Sequence, residues 1–209
     1  RPNPIGGADV QGPVLAETDV KGFVNHHALP LRHGMTMGEL ARLFLEDDKM
    51  TDSLRLDVVR MMGWKRKDTF ERTGLTWSAP SPNLRSIRSV ALYPAIGLLE
   101  STNVTVGRGT DMPFEIVAAP WMNAEAVVKR LRDLEIAGVA FDPIEVIPKS
   151  SVHANKKCLG FRISIVTPAQ FEPIRTALSI ASVLHEVHPA DWDFDGMDKM
   201  LRSKAALNA

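Results

Sequence analysis

Apolar positions recur at helical spacing in three stretches. Leu40, Leu43 and Phe44 share one face of a helix predicted to begin near Thr36. Thr36-Met37-Gly38-Glu39 has the form of a capping box, in which the Thr oxygen takes a backbone N–H three residues on and the Glu reaches back. Asp47-Asp48-Lys49 ends that helix. Ala124, Val127, Val128, Leu131 and Leu134 mark a second helix, with Asn123 as its N-cap and Gly138 as its stop. Ile174, Ala177, Leu178 and Ala181 mark a third, with Pro173 in its first turn. Strand spacing occurs twice. Leu54, Leu56 and Val58 alternate with Arg55 and Asp57, which predicts a strand over 54–62. Phe161, Ile163 and Ile165 alternate with Arg162 and Ser164, which predicts another over 160–167. Short apolar runs at 89–93 and 96–99 flank Pro94, and the second reads as a strand leading into Glu100.

The intervals are uneven. Residues 6–30 are loop-like, and 63–83 form a long aperiodic stretch that holds Trp64, Trp77 and Ser81-Pro82-Asn83. Two tryptophans argue against disorder there, because a solvated indole leaves a large apolar surface in water. Residues 100–113 are polar and Gly-rich. Near residue 120 the texture changes to a compact helix–strand–helix pattern. The expected organisation is a site-bearing part over 1–119 and a smaller α/β or α+β unit over 120–209. No internal repeat is present.

Composition narrows the classes. The 209 residues are 44% apolar, and 25 Lys and Arg balance 25 Asp and Glu. That is too apolar for a disordered tail and lacks the basic excess of a nucleic-acid binder. No apolar run approaches the ~18 residues of a membrane span. The single cysteine, Cys158, excludes an internal disulfide framework and a Cys-based zinc site. The opening Arg1-Pro2-Asn3-Pro4-Ile5-Gly6-Gly7 reads as a specialised loop, so the natural N-terminus is expected further upstream, and the absence of a signal peptide carries no information.

Three constellations are candidates for chemistry. Arg32-His33-Gly34-Met35-Thr36-Met37-Gly38-Glu39 gathers a cation, an imidazole and a hydroxyl at a helix start, where free N–H groups favour anions. Alternatively, Glu39 only closes the capping box and His33 is an ordinary loop histidine. Glu100-Ser101-Thr102-Asn103 with Gly107-Arg108-Gly109-Thr110 offers a carboxylate, an amide suited to sugar hydroxyl and acetamido groups, and a guanidinium fork. Alternatively, this is a turn whose Arg108 pairs with Asp111 or Glu115. Trp64 with Ser81-Pro82-Asn83 offers an aromatic platform for a sugar ring, or else fills a core. His26-His27 has no partner at metal-ligand spacing and reads as an exposed pair. Dinucleotide, phosphate-loop and nucleophile-elbow fingerprints are absent, and no metal or cofactor is expected.

These motifs, in this order, resemble one bacterial family. The resemblance rests on Arg1–Gly7, Gly12-Pro13, the run from Pro30 to Ala41, Gly63-Trp64-x-Arg66 and Trp77-x-x-Pro80-Ser81-Pro82-Asn83. It continues through Tyr93-Pro94, Glu100-x-Thr102-Asn103, Gly107-Arg108-Gly109-Thr110-x-x-Pro113-Phe114-Glu115 and Ala119-Pro120-Trp121. The family is the exo-β-N-acetylmuramidases, long grouped as a domain of unknown function. Ala95, Val106 and Ala118 depart from its pattern. The resemblance implies an α/β protein, the C-terminal part of a Rossmann-like domain followed by a smaller α+β domain, with the site in a cleft. It implies a glycoside hydrolase that releases terminal non-reducing N-acetylmuramic acid from peptidoglycan fragments outside the cytoplasm.

Glu100 and Glu39 are the catalytic candidates. Asn3, Arg32, His33, Trp64, Asn83, Asn103, Arg108 and Thr110 are candidates for the lactyl carboxylate, acetamido group and hydroxyls of a muropeptide or amino sugar. Family members are roughly twice as long as this chain. An upstream segment or another chain is therefore expected to complete the sheet and to supply a further carboxylate from a Glu-His-Gly motif. Alternative readings are a non-catalytic muropeptide-binding remnant of the same fold, or a lyase or transferase acting on an amino sugar.

Overall fold

The computed structural model describes residues 3–5, 7–14, 26–49 and 53–201. The loop expected over 6–30 and the polar C-terminal end therefore lie partly outside the described residues. The chain divides into two compact units, Arg1–Thr76 and Trp77–Ala209.

In the first unit, α1 (Met37–Asp47) starts where the capping box requires. Glu39 N–H donates to Thr36 Oγ1 at 3.2 Å, and Thr36 N–H donates to Glu39 Oε2 at 2.8 Å. Leu40, Leu43 and Phe44 are half-buried along one face. The strand expected over 54–62 does not form. The chain there is irregular, with Val59 and Met62 96% and 97% exposed. Alternation makes a two-faced ribbon, but a ladder also needs partner N–H and C=O groups, and no strand among the described residues pairs with this segment. One residue of it packs instead on α1: a Cβ at Gly38 would lie 2.7 Å from Val58 Cγ1.

In the second unit, α2 (Ile87–Ile96) and a short 3₁₀ turn (Gly97–Leu99) occupy the region expected to be strand-like. Ser86 caps α2 by accepting Ser89 N–H at 3.0 Å, and Pro94 stands within its last turn. Leu92, Ala95, Ile96 and Leu99 are wholly buried. Its buried positions, Ser89, Leu92, Ala95 and Ile96, lie on one face, but the unbroken apolar runs on either side of Pro94 blur that period and imitate strands.

β1 (Ile116–Ala119), β2 (Val139–Val146) and β3 (Cys158–Ile165) form an antiparallel sheet in the order β1-β3-β2. β3 is the strand predicted over 160–167. β1 is buried at all four positions, so it has no alternation to detect, and edge strand β2 carries Pro143 within its run. β1 precedes residue 120 and pairs with β3, which follows it, so the sheet spans the change in texture.

α3 (Ala124–Asp133) lies against β2 and β3, and α4 (Pro173–Val187) lies against α3 and α2. Asn123 caps α3 by accepting Ala126 N–H at 3.1 Å, and Ala124, Val127, Val128 and Leu131 are buried as expected. Leu134 is the C-cap rather than a face residue and is 39% exposed. The short α5 (Asp198–Leu201) follows a 3₁₀ turn. The largest fully buried side chains, including Phe114, Phe161, Ile116, Leu131 and Leu184, all belong to this unit. Each contributes about 1.5–3 kcal/mol by leaving water. Among the described residues no helix is long and apolar enough to cross a membrane.

Gly160 sits on the central strand between Ala118 and Ile144. A Cβ there would come within 2.0 Å of Val117 O and 2.5 Å of Ala118 Cα. Because the obstacle is backbone, no rotamer relieves it. Gly160→Ala is expected to lower stability by about 2–3 kcal/mol, read as a reduced urea midpoint. An unchanged midpoint would contradict this strand packing.

Candidate functional site

The first unit builds a charged corner at the start of α1. Arg66 grips the Glu39 carboxylate with both terminal nitrogens, Nη1 reaching Oε2 at 3.0 Å and Nη2 meeting Oε1. The same Nη1 donates to Gly34 O at 2.8 Å. Gly34 has φ +65°, and a Cβ there would lie 2.8 Å from Gly7 O, so the turn requires glycine. The Arg66 hydrogen bonds, followed by the Thr36 N–H, hold the Glu39 carboxyl down from the usual 4.5 to about 2. Glu39 is therefore an ionised, fully engaged carboxylate at neutral pH. It can anchor a cation or hold negative charge, but it has no proton to give.

The other residues expected in this unit are partly committed to its own loops. Arg32 is tied to Asp9 Oδ2 at 3.1 Å, Ile5 O at 3.3 Å and Gln11 Oε1 at 3.5 Å. Asn3 Oδ1 accepts the Ile5 N–H at 3.1 Å. His33 Nδ1 accepts the Met35 N–H at 3.1 Å, and partial burial lowers its pKa, which favours the neutral ring. Trp64 is placed differently. It lines a cleft of about 400 Å³ together with Thr36, Glu39, Arg42, Val58 and Met61. Its indole Nε1 is buried without a hydrogen-bond partner among the described residues. The Arg66 guanidinium stands 5.9 Å from its ring centroid.

The second unit builds a different cluster. Arg108 Nε pairs with Glu100 Oε1, not with Asp111 or Glu115. The guanidinium lies 5.2 Å from the Phe114 ring centroid, and Tyr93 meets Phe114 edge-on at 4.8 Å. Burial raises the Tyr93 hydroxyl pKa. The Glu100 charge raises it further, and Arg108 opposes in part. The result is a carboxylate, a guanidinium and a protonated phenol around one aromatic floor. Tyr93 received no role from the sequence, although it is the chain's one tyrosine and sits in a matched motif.

The backbone under this cluster is tightly packed at its glycines. Gly107 and Gly109 have φ of +85° and +79°, and a Cβ would meet Met112 O at 2.3 Å or Ser150 O at 2.4 Å. Thr110 Oγ1 donates to Gly107 O at 2.7 Å and accepts Met112 N–H at 3.1 Å, so its hydroxyl closes the turn. Phe114 itself holds φ +63°, a costly conformation for a bulky residue, fixed by its N–H to Val106 O at 2.7 Å.

Asn103 and Asn83 differ. Asn103 Nδ2 donates to Asp191 O at 2.7 Å, its Oδ1 accepts Asp193 N–H at 3.0 Å, and its backbone carbonyl meets His153 Nε2 at 2.7 Å. Both ends of the amide tie two loops together. Asn83 lies half-buried in the turn closed by Leu84 N–H to Ser81 O at 3.0 Å. Trp77 belongs to the same loop and donates Nε1 to Leu84 O at 3.0 Å. Glu115 is almost fully buried between Arg162 at 3.3 Å and Arg88 at 3.5 Å, with the Ser86 and Ser89 hydroxyls each at 3.4 Å. It pins α2 to the sheet.

Two outcomes are expected. The depressed Glu39 pKa stabilises the fold above about pH 4.5, and this contribution is lost as pH falls from there toward about 2. Glu39→Gln keeps a capping-box side chain, so it is expected to cost less than about 1 kcal/mol at neutral pH, through the exposed Arg66 pair, and to flatten that acid decline in urea titrations. An identical acid decline in both proteins would contradict the assignment. Asn103→Ala is expected to lower stability by about 1 kcal/mol through the loss of the two exposed loop hydrogen bonds, and an unchanged urea midpoint would contradict the tie.

Comparison with known proteins agrees with these motifs. The C-terminal model of the family described as exo-beta-N-acetylmuramidase NamZ matches residues 91–209, and its N-terminal model matches residues 1–88. The peptidoglycan beta-N-acetylmuramidase NamZ of Bacillus subtilis (strain 168) is 39% identical over 194 residues, which cover 93% of this chain and 46% of that protein. A DUF1343 family protein from Bacteroides fragilis NCTC 9343 superposes with a TM-score of 0.88 at 29% identity, over all of this chain and 56% of that one. A second protein of that family and organism gives a TM-score of 0.67 at 23% identity, over all of this chain and 55% of its own, and shares the fold. The chain thus spans about half the length of the relatives it matches. With both family models covering it almost end to end, the chain belongs to the exo-β-N-acetylmuramidase NamZ family.

Proposed function

We propose that this chain forms part of an exo-acting glycoside hydrolase that releases terminal non-reducing N-acetylmuramic acid from peptidoglycan fragments. The observation that carries the reading is the Glu100–Arg108 pair beside Tyr93, held on a closely packed, hydrogen-bonded glycine turn in a chain of this family. N-acetylmuramic acid presents a lactyl carboxylate, an acetamido group and hydroxyls. Arg108 pairs with Glu100 by charge, its Nε making no hydrogen bond among the described residues, and the guanidinium N–H groups suit a carboxylate. Glu100 is the carboxylate assigned to the glycosidic bond. Asn83 is assigned to the sugar in the second unit, and Trp64 to a sugar face on the first unit's own cleft.

Hydrolysis of this kind uses two carboxyl groups, one of them a proton donor. Glu39, ionised and clamped by Arg66, is assigned only the fixed-charge role. The second reacting carboxyl group would come from another part of the protein. A Rossmann-like arrangement of the first part of the chain and an extracytoplasmic location belong to the same reading, and both rest on the family alone. Arg32, Asn3, His33, Thr110 and Asn103 are assigned to supporting loops rather than to direct contact. A second reading, muropeptide binding without turnover, is favoured by one observation: both Glu39 and Glu100 carry an arginine.

The test is release of chromophore from a chromogenic N-acetylmuraminide by the full gene product. Glu100→Gln is expected to lower kcat by about 100-fold or more, and Arg108→Ala to raise KM by about tenfold. Unchanged kinetics in both variants would overturn the site assignment. Sugar binding without release would favour the second reading, and neither binding nor release would overturn both.

A further inference from the structure

The end of α1 opposite to Glu39 carries a second group of chemistry-bearing side chains, about 12–14 Å along the helix. His26 and His27, an isolated pair in the sequence, meet Asp47 and Asp48 there. His27 Nδ1 lies 3.3 Å from Asp47 Oδ2, and its Nε2 lies 3.5 Å from Asp48 Oδ2. His26 Nε2 lies 3.8 Å from Asp48 Oδ1. One ligand atom from each of His26, His27 and Asp48 falls within 4.8 Å of the others.

We propose that His26, His27 and Asp48 bind a divalent transition-metal cation of the Zn²⁺ class, with Asp47 orienting His27. Three observations converge. First, the facing atoms stand beyond ordinary hydrogen-bond length but near the spacing of donors around one ion. Bonds of about 2.0–2.1 Å in a tetrahedral shell place neighbouring donors about 3.4 Å apart, so small side-chain rotations close the shell and leave a fourth position for water. Second, His27 is held in advance. Its ring stacks on Phe44 with centroids 4.0 Å apart and an interplanar angle of 10°, and its side chain is 9% exposed. Asp47 on Nδ1 leaves Nε2 toward Asp48, the carboxylate–histidine–metal arrangement that fixes the tautomer of metal-binding histidines. Third, the carbonyl end of a helix favours a cation, and the last turn of α1 has no basic residue while Asp47 and Asp48 add negative charge. Two imidazoles and one carboxylate suit Zn²⁺, Ni²⁺ or Cu²⁺ rather than Mg²⁺ or Ca²⁺. The linear spacing hides the site because Asp48 follows His27 by a whole helix. A bound ion would fasten residues 26–27 to the end of α1.

The test is isothermal titration of the whole chain with ZnCl₂, with MgCl₂ as the control. One Zn²⁺ per chain is expected, with no saturable Mg²⁺ binding. The exposed substitutions His26→Ala and Asp48→Asn are each expected to weaken Zn²⁺ by about tenfold or more, and Asp47→Asn by about tenfold, with unchanged circular dichroism. Absence of saturable Zn²⁺ binding, equal binding of Mg²⁺, or Zn²⁺ affinity that His26→Ala and Asp48→Asn leave unchanged would overturn the proposal.

Discussion

A carboxylate drawn out of water must be met by donors, and in this chain those donors are arginines. Glu115 shows the constraint at its strongest, buried between Arg88 and Arg162 with two serine hydroxyls completing its shell. Breaking such a group from one side leaves an uncompensated buried charge and costs several kcal/mol, about 3–5 in comparable cases. Glu39 with Arg66 and Glu100 with Arg108 repeat the pattern nearer the surface, where each pair contributes less energy but fixes a loop. The balance of 25 acidic and 25 basic residues is thus partly spent on internal pairs rather than on a field that would steer a polyanion.

The pairs matter for chemistry because of what holds them. Arg66 is fixed by Gly34 O as well as by Glu39, and the left-handed Gly34 lets the carbonyl face it. Arg108 rides on a turn whose two glycines have no room for a side chain and whose Thr110 hydroxyl is tied down. Beneath it Phe114 keeps an unfavourable backbone angle, a cost of about 1–3 kcal/mol that the surrounding packing must offset. Each clamp therefore holds its charged groups in fixed positions before any ligand arrives, which is the condition for electrostatic recognition at low reorganisation cost.

Local signals were legible in the sequence. The capping box at Thr36, the Asn123 cap and most of the faces of α3 and α4 come from spacing and short-range hydrogen bonds, and the structure forms them except at Leu134, which caps α3, and Leu178, which is half-buried. Non-local facts were not. The strand pattern over 54–62 finds no ladder, because pairing depends on a partner that alternation cannot specify. α2 reads as strands because its apolar runs around Pro94 blur the period of the one face it buries, and β1 has no polar face to alternate. For the site, residue types and motifs were legible but partners were not. Arg108 chooses Glu100 over nearer Asp111, Asn103 spends its amide on residues about ninety positions away, and His27 meets Asp48 only through the length of α1. Tyr93 gains its place beside Glu100 from α2, an element the sequence did not reveal.

The claim that paired charges act as single units is tested most directly by a double-mutant cycle at Glu100 and Arg108, read by urea denaturation. The single substitutions Glu100→Gln and Arg108→Ala and their combination give the coupling free energy. A coupling of about 1 kcal/mol or more is expected for groups in direct contact over a shared aromatic floor. Additive losses, within about 0.3–0.5 kcal/mol, would mean that the two residues act independently and would contradict the account.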